Sequence, residues 1–484
     1  MPDFSAMRRS AGLGLEDVAS EFGTPLDVVQ RWEAGSGAPP AHLSRTLDLM
    51  ARFQTSGISE PDLPAPPTNR TGAFTDNMKI PVHRWFRYSA GFSAEWVREV
   101  VRAHMQETHD GALFDPFAGS GTSLLAAQSE GLPSAGAEKH PFVARVAKAK
   151  LCWNVDVGSF RSVASEILSL AMQRQQLERN LPALLVKCFD GQAIAQLEAL
   201  RLAFVQTCSP GDQIAELIWL AITSILRECS GVGTAQWQYV LPKKSKAKVS
   251  EPFSAFQRKI EMMISDIEAS RFKEFNLVRT ELHEDDARSL ETFNDWTGRV
   301  SLIVTSPPYP NNYDYADAAR LEMTYWGDIE SWSDLHRSVR HKLVCSCSQH
   351  SAAERLELDP ILANPILLPI VDELSAVCSE LAKVRLEKGG KKTYHTMIAA
   401  YFLDLALVWD ALRPLCREGS DVCFVVGDSA PYGVHVPVER WLATLAENSG
   451  FRKPRFEKLR DRNVKWKNRK HRVPLHEGRL WLKG

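Results

Sequence analysis

The chain has 484 residues, 44% hydrophobic and 24% charged, with a formal net charge of −1. Its length predicts two to four units of ~100 to 200 residues each, and its composition is that of an ordinary soluble globular protein. Apolar runs such as 215–226 fall short of the ~18 residues of a membrane span, so no transmembrane helix is expected.

The N-terminus, "MPDFSAMRRSAGLGLEDV", lacks an apolar core ending in a cleavage site, so no signal peptide and a cytoplasmic location are expected. Nine scattered cysteines, whose one close pair is Cys345 and Cys347 in CxC spacing, point to reduced thiols rather than a metal site. The near-zero charge conceals local bias. Residues 452–472 hold eleven Lys or Arg against Glu457 and Asp461, and Lys243, Lys244, Lys246 and Lys248 form a second cluster. Basic runs interleaved with Phe456 and Trp466 suit phosphate contacts beside stacking surfaces, which makes Lys243, Lys244, Lys465 and Arg469 candidate DNA contacts.

In residues 1–55, apolar positions recur at helical spacings and break at Gly23-Thr24 and Gly35-Ser36-Gly37. The segment "EDVASEFGTPLDVVQRWEAGSGAPP" predicts a helix, a turn at Gly23, and a second helix that Thr24 caps. With Arg8, Arg9, Ala19 and Arg31-Trp32-Glu33-Ala34-Gly35, it resembles the phage-repressor type of helix-turn-helix. The resemblance makes Gln30 and Arg31 candidate DNA contacts, although Leu15 stands where the family usually has a phosphate-anchoring Gln. Four prolines and few large apolar residues predict a linker over 56–70.

From residue 71 to 484 strands and helices alternate. Strands are predicted at Leu113-Phe114, 135–137, 276–280, 300–305 and 422–426, with helices over 122–130, 141–150 and 397–412. This order implies an α/β fold with a mainly parallel, doubly wound sheet. Two helical segments, 155–274 and 320–392, interrupt it as insertions, the first with an internal loop near 232–249.

Phe117-Ala118-Gly119-Ser120-Gly121 lies at a strand-to-helix turn, where glycines admit close backbone approach and a helix start offers free N–H groups. It lacks the third glycine of a dinucleotide fingerprint and the Lys of a phosphate loop. Glu138, nineteen residues beyond Gly119, is suited to accept hydrogen bonds from a ribose. A ribose without pyrophosphate suggests a nucleoside-type cofactor.

The strand at 300–305 runs into Ser306-Pro307-Pro308-Tyr309. Together with Asp115 through Thr122, this motif resembles the amino-methylating DNA methyltransferases, with a Rossmann-like fold and S-adenosylmethionine as cofactor. In that family a serine-led motif favours N4 of cytosine. The resemblance implies that Ser306 Oγ and the Pro307 carbonyl accept hydrogen bonds from the target amine. Pro307 and Pro308 keep the corner rigid, and Tyr309 stacks on a base turned out of the duplex. It also implies that Phe92, Ser93, Asp115, Phe117, Gly119, Gly121, Thr122 and Glu138 hold the cofactor, that Asp286 (or Asp285) meets its adenine amine, and that Asn311, Asn312, Tyr313 and Asp314 shape the pocket rim. The helix from Tyr394 and the strand ending Val426-Gly427-Asp428-Ser429 resemble the motifs that wall the base pocket.

Either insertion suits target recognition. The expected partners are double-stranded DNA and, by the same resemblance, a cognate restriction endonuclease or defence subunit. Two alternatives stand beside this reading: methylation of N6 of adenine or of RNA, and a DNA-binding regulator that only senses S-adenosylmethionine.

Overall fold

The computed structural model describes residues 4–10, 13–21, 24–40, 47, 74–108, 110–174, 180–271, 278–311, 313–462 and 475–484. These fall into two compact units, Met1–Arg70 and Thr71–Gly484. The expected linker 56–70, the turn at Gly23, Asn312, Lys465 and Arg469 lie outside the described residues.

The first unit carries helices Phe4–Ser10, Leu15–Glu21 and Leu26–Glu33 around buried Phe4, Val18, Val29 and Leu47. Trp32 meets Phe4 edge-on at 5.7 Å, and Arg8 pairs with Glu33 at 2.6 Å, so the Arg-Trp-Glu signature ties the third helix to the first. The cap position of the third helix falls on Pro25, which makes no side-chain cap bond, and not on Thr24 as expected. Proline's fixed φ suits a helix start without one.

In the second unit β1 (Ala112–Asp115), β2 (Ser134–Ala137), a small hairpin of β3 (Val232–Gly233) and β4 (Leu241–Ser245), β5 (Thr280–His283), β6 (Val300–Thr305), β7 (Cys416–Gly427), β8 (Arg452–Arg462) and β9 (Leu475–Lys483) follow in chain order. Seven of them form one sheet in the order β5-β2-β1-β6-β7-β9-β8. β5 through β7 are parallel, and β9 and β8 close one edge antiparallel. Strand order reverses between β1 and β6. A sheet of this type opens a ligand crevice at such a switch point, beyond the carboxyl ends of the strands.

Period-2 alternation distributes the core. Phe114, Ile303, Val422, Phe424 and Val426 face one layer, built on helix Tyr394–Leu412 and the second insertion. Leu113, Leu302, Val304, Cys423 and Val425 face the other, built on helices Ala94–Glu107 and Thr122–Ser129. Burial on both faces explains the continuous apolar runs of β1 and β6. Helix Tyr394–Leu412 is long and apolar enough to cross a membrane, contrary to the expectation that no segment is. It is packed in the core against the sheet, which accounts for its composition.

Three further departures have physical causes. The third parallel strand spans Thr280–His283 rather than 276–280, because pairing of Ser134 with Thr280 and Ala137 with His283 sets its register. The described part of the basic segment expected over 452–472 is the edge strand β8: an edge strand has one neighbour, so β8 keeps a solvated, charge-rich pattern. Within the first insertion the loop holds the β3–β4 hairpin. All nine cysteines are free thiols, most of them buried.

Candidate active site

A cavity of about 520 Å³ opens at the carboxyl ends of β1, β2, β6 and β7. Its floor is built by two loops that leave adjacent strands. The turn from β1 bends at Gly119 (φ 54°), where a Cβ would stand 2.9 Å from the Tyr88 ring, so only glycine fits. The Ala118 N–H donates to Ala137 O at 2.9 Å, which holds this turn against the end of β2.

Glu138, just beyond β2, accepts the Gly119 N–H at 2.9 Å and the His140 N–H at 2.8 Å. Burial pushes its carboxyl up to about 7, against the lowering effect of those two donors. Ser120 faces the same space, and its buried Oγ has no hydrogen-bond partner among the described residues.

The second loop starts at Ser306. Its hydroxyl donates to Val425 O on the neighbouring strand at 3.3 Å, which leaves its lone pairs to face a donor. The Pro307 and Pro308 carbonyls accept no hydrogen bond among the described residues, whereas the Pro310 carbonyl is bound by Ser429 Oγ at 2.5 Å. Tyr309 closes the wall. Its phenol interacts with the Ser306 side chain, and the Arg462 guanidinium lies 5.2 Å from its ring centroid.

Both insertions reach this loop. Tyr313 stacks on Tyr239 with centroids 5.1 Å apart and donates to Trp237 O at 3.0 Å; Tyr239 and Trp237 belong to the first insertion. Asp314 pairs with Arg340 of the second insertion. The segment that joins β3 to β4 lines the cavity with Trp237 and Gln238, and Lys342, Leu343 and Val344 line it from the second insertion. Arg460, Arg462 and Glu477 come from the antiparallel edge. Trp237, Gln238, Lys342, Leu343, Val344, Arg460, Arg462 and Glu477 were not singled out from sequence as part of the pocket, whereas Tyr313 and Asp314 were expected at its rim. The local signals were aromatic density in "QWQYVLP" and the basic run at 452–472, which holds Arg460 and Arg462.

Of the residues expected at the site, Phe92, Asp115, Phe117, Gly119, Thr122, Glu138, Asp286, Ser306, Pro307, Pro308 and Tyr309 line this one cavity. Ser93 and Gly121 do not. Ser93 is the N-cap of helix Ala94–Glu107 and accepts the Trp96 N–H, and Gly121 packs beside Ala147 at the start of the next helix.

The Asp115 carboxylate already accepts from Ser123 Oγ, from Thr305 Oγ1 at 2.6 Å and from the Phe117 N–H at 3.0 Å, so it joins β1 to β6 as much as it faces the cavity. Burial pushes it up to about 6. Asp286 pairs with Arg288 at 2.7 Å, and Arg288 in turn with Asp404 at 2.9 Å. Asp285 is buried and receives the Thr292 N–H and hydroxyl, a structural use that takes it out of the cavity. Asn311 lines the rim, while Asp314 is committed to its ion pair.

Lys243 and Lys244 are exposed on β4, in the hairpin whose connection lines the cavity. Gln30 and Arg31 are exposed in the first unit, where Arg31 pairs with Asp27 at 3.1 Å. Behind Tyr309, Asp428 lies 2.9 Å from His476 Nδ1 and faces Glu439. Burial, and then the neighbouring Asp428, push the Glu439 carboxyl above the usual carboxylate range.

No family model matches the chain, and no solved structure does. The chain is 24% identical over 429 residues to the type II methyltransferase M.BsoBI of Geobacillus stearothermophilus, covering 81% of this chain and 82% of that protein. It is also 24% identical over 408 residues to the type II methyltransferases M.AvaI of a Nostoc species and of Anabaena variabilis, covering 78% of this chain and 81% of each. Similarity to enzymes of one name over four fifths of both chains, joined to a mostly parallel seven-stranded sheet, supports a methyltransferase with a Rossmann-like fold.

Proposed function

We propose that the protein is an S-adenosylmethionine-dependent DNA methyltransferase of a restriction-modification system, acting in the cytoplasm on the exocyclic N4 of cytosine. The observation that carries this reading is that Ser306 and the free Pro307 carbonyl share one cavity with Glu138 and the Gly119 turn. The names of the three relatives support type II methylation.

The residues present fit the cofactor. Glu138 offers a carboxylate to ribose hydroxyls, the unpartnered Ser120 Oγ and the Gly119 turn offer polar contacts, and Phe92 and Asp286 border the same space. When bound, S-adenosylmethionine supplies a methyl group on a sulfonium.

The amine of cytosine is a weak nucleophile because its lone pair is delocalised into the ring. Ser306 Oγ and the Pro307 carbonyl accept its two N–H groups and favour a tetrahedral nitrogen, which frees that lone pair. Fixed proline φ angles hold both acceptors in place, so the rate gain is mainly positional. The amine is paired inside a duplex, so the base must turn out to reach them. Lys243 and Lys244, with Lys465 and Arg469 of the basic segment, are assigned to the phosphates by their charge in the sequence.

The test is expression in a host without DNA methylation, followed by nucleoside mass spectrometry beside a Ser306→Ala control. N4-methylcytosine that depends on Ser306 is the expected product. N6-methyladenine would overturn the base assignment, and unmodified DNA the reaction.

A further inference from the structure

Arg462 ends β8 and lines the cavity beside Tyr309. Its Nη1 donates to Asp428 O at 2.8 Å, and its Nε stands 3.9 Å from Glu477. Glu477 is instead bound by Arg460 at 2.8 Å. Among the described residues the Arg462 Nη2 has no hydrogen-bond acceptor, although its side chain is only 22% exposed. A guanidinium cannot shed its charge, so a half-used fork in a pocket wall calls for acceptors from outside the chain.

The wall is shaped to admit it. At Gly427 a Cβ would stand 2.7 Å from Arg462 Nη1 and 3.3 Å from the Tyr309 ring, so the bare backbone lets both side chains close on one point. The guanidinium is 5.2 Å from the ring centroid, wider than the ~3.5 to 4.0 Å contact of stacked planes, so it is offset and not fully stacked.

We propose that Arg462 is a specificity-determining residue that donates to the N3 and O2 edge of the target cytosine. This deepens the N4-cytosine reading and rests on it. With the amine at Ser306, the next atoms along a cytosine edge are two adjacent acceptors, which match the parallel N–H pair of a guanidinium. Adenine offers N1 and then a C–H, and leaves one donor unpaired once the base fills the pocket. A pocket built to hydrogen-bond two acceptors therefore rejects a base with one.

The test uses the full chain and its own recognition duplex, obtained by sequencing DNA modified in vivo. Methyl transfer is compared for cytosine and 3-deazacytosine at the target position, with wild type and with Arg462→Ala, after calorimetry shows that cofactor binding is equal. Removing N3 is expected to lower kcat/KM of wild type by about tenfold to a hundredfold. Arg462→Ala is expected to be slow on both duplexes and to show little further loss with 3-deazacytosine. An equal loss from N3 removal in both proteins overturns the assignment of Arg462 while leaving the N4-cytosine reading intact. N6-methyladenine in the sequenced DNA overturns both.

Discussion

Arg340 and Asp314 form an ion pair at 2.7 Å, with side chains only 7% and 5% exposed, that fastens the second insertion to the loop following Pro307 and Pro308. Removing one partner strands a buried charge. Arg340→Met is expected to cost about 3 to 5 kcal/mol, read by denaturant unfolding. Asp314→Asn combined with Arg340→Met should recover part of it, and full additivity of the two losses would dissociate the pair.

Ser306→Ala removes one proposed acceptor and leaves the cavity walls in place. Methyl transfer is expected to fall by about a hundredfold, the low end of what one positioned hydrogen-bonding group contributes in a transition state. S-adenosylmethionine affinity, measured by calorimetry, should stay unchanged; a loss of binding with no loss of kcat would refute the assigned role.

Glu138 links pH to both stability and binding. Its carboxyl ionises near 4.5 ordinarily and about 7 in the fold, so the folded protein holds a proton that the unfolded chain has lost. The stabilisation is fully present below pH about 4.5 and is lost as pH rises through about 7. Cofactor affinity should rise over the same interval, because the ionised carboxylate is the better acceptor for ribose hydroxyls. Glu138→Gln should flatten both profiles, and an unchanged pH dependence of binding in that variant would exclude the role.

Gly119→Ala places a methyl 2.9 Å from the Tyr88 ring at φ 54°. About 1 to 3 kcal/mol of strain is expected, read as a lower Tm together with weakened cofactor binding. A variant as stable as the parent would show that the turn has another accessible conformation.

Lys243 and Lys244 stand exposed on β4. If both neutralise phosphates, replacing them with Ala should flatten the slope of log affinity against log salt by about two, without changing which sequence is methylated. An unchanged slope would assign phosphate binding elsewhere on the surface.

The chain itself dictated the turn from β1, the carboxylate beyond β2 and the proline corner after β6. Each is a local consequence of glycine freedom, proline rigidity and a period-2 apolar strand. The parallel order of the central strands was legible for the same reason, since strand and helix alternate along 71–484. Tertiary structure alone decided who walls the pocket. Trp237, Lys342 and Arg462 are 36 to 156 residues from Ser306 in sequence and reach it through two insertions and an antiparallel edge. Nothing in the local pattern of a basic edge strand states its register, because β8 pairs only with β9, which is held in turn by its pairing with β7. The same holds for Ser93 and Gly121, whose residue types fit a binding role and whose neighbours in the folded chain gave them a cap and a packing contact instead.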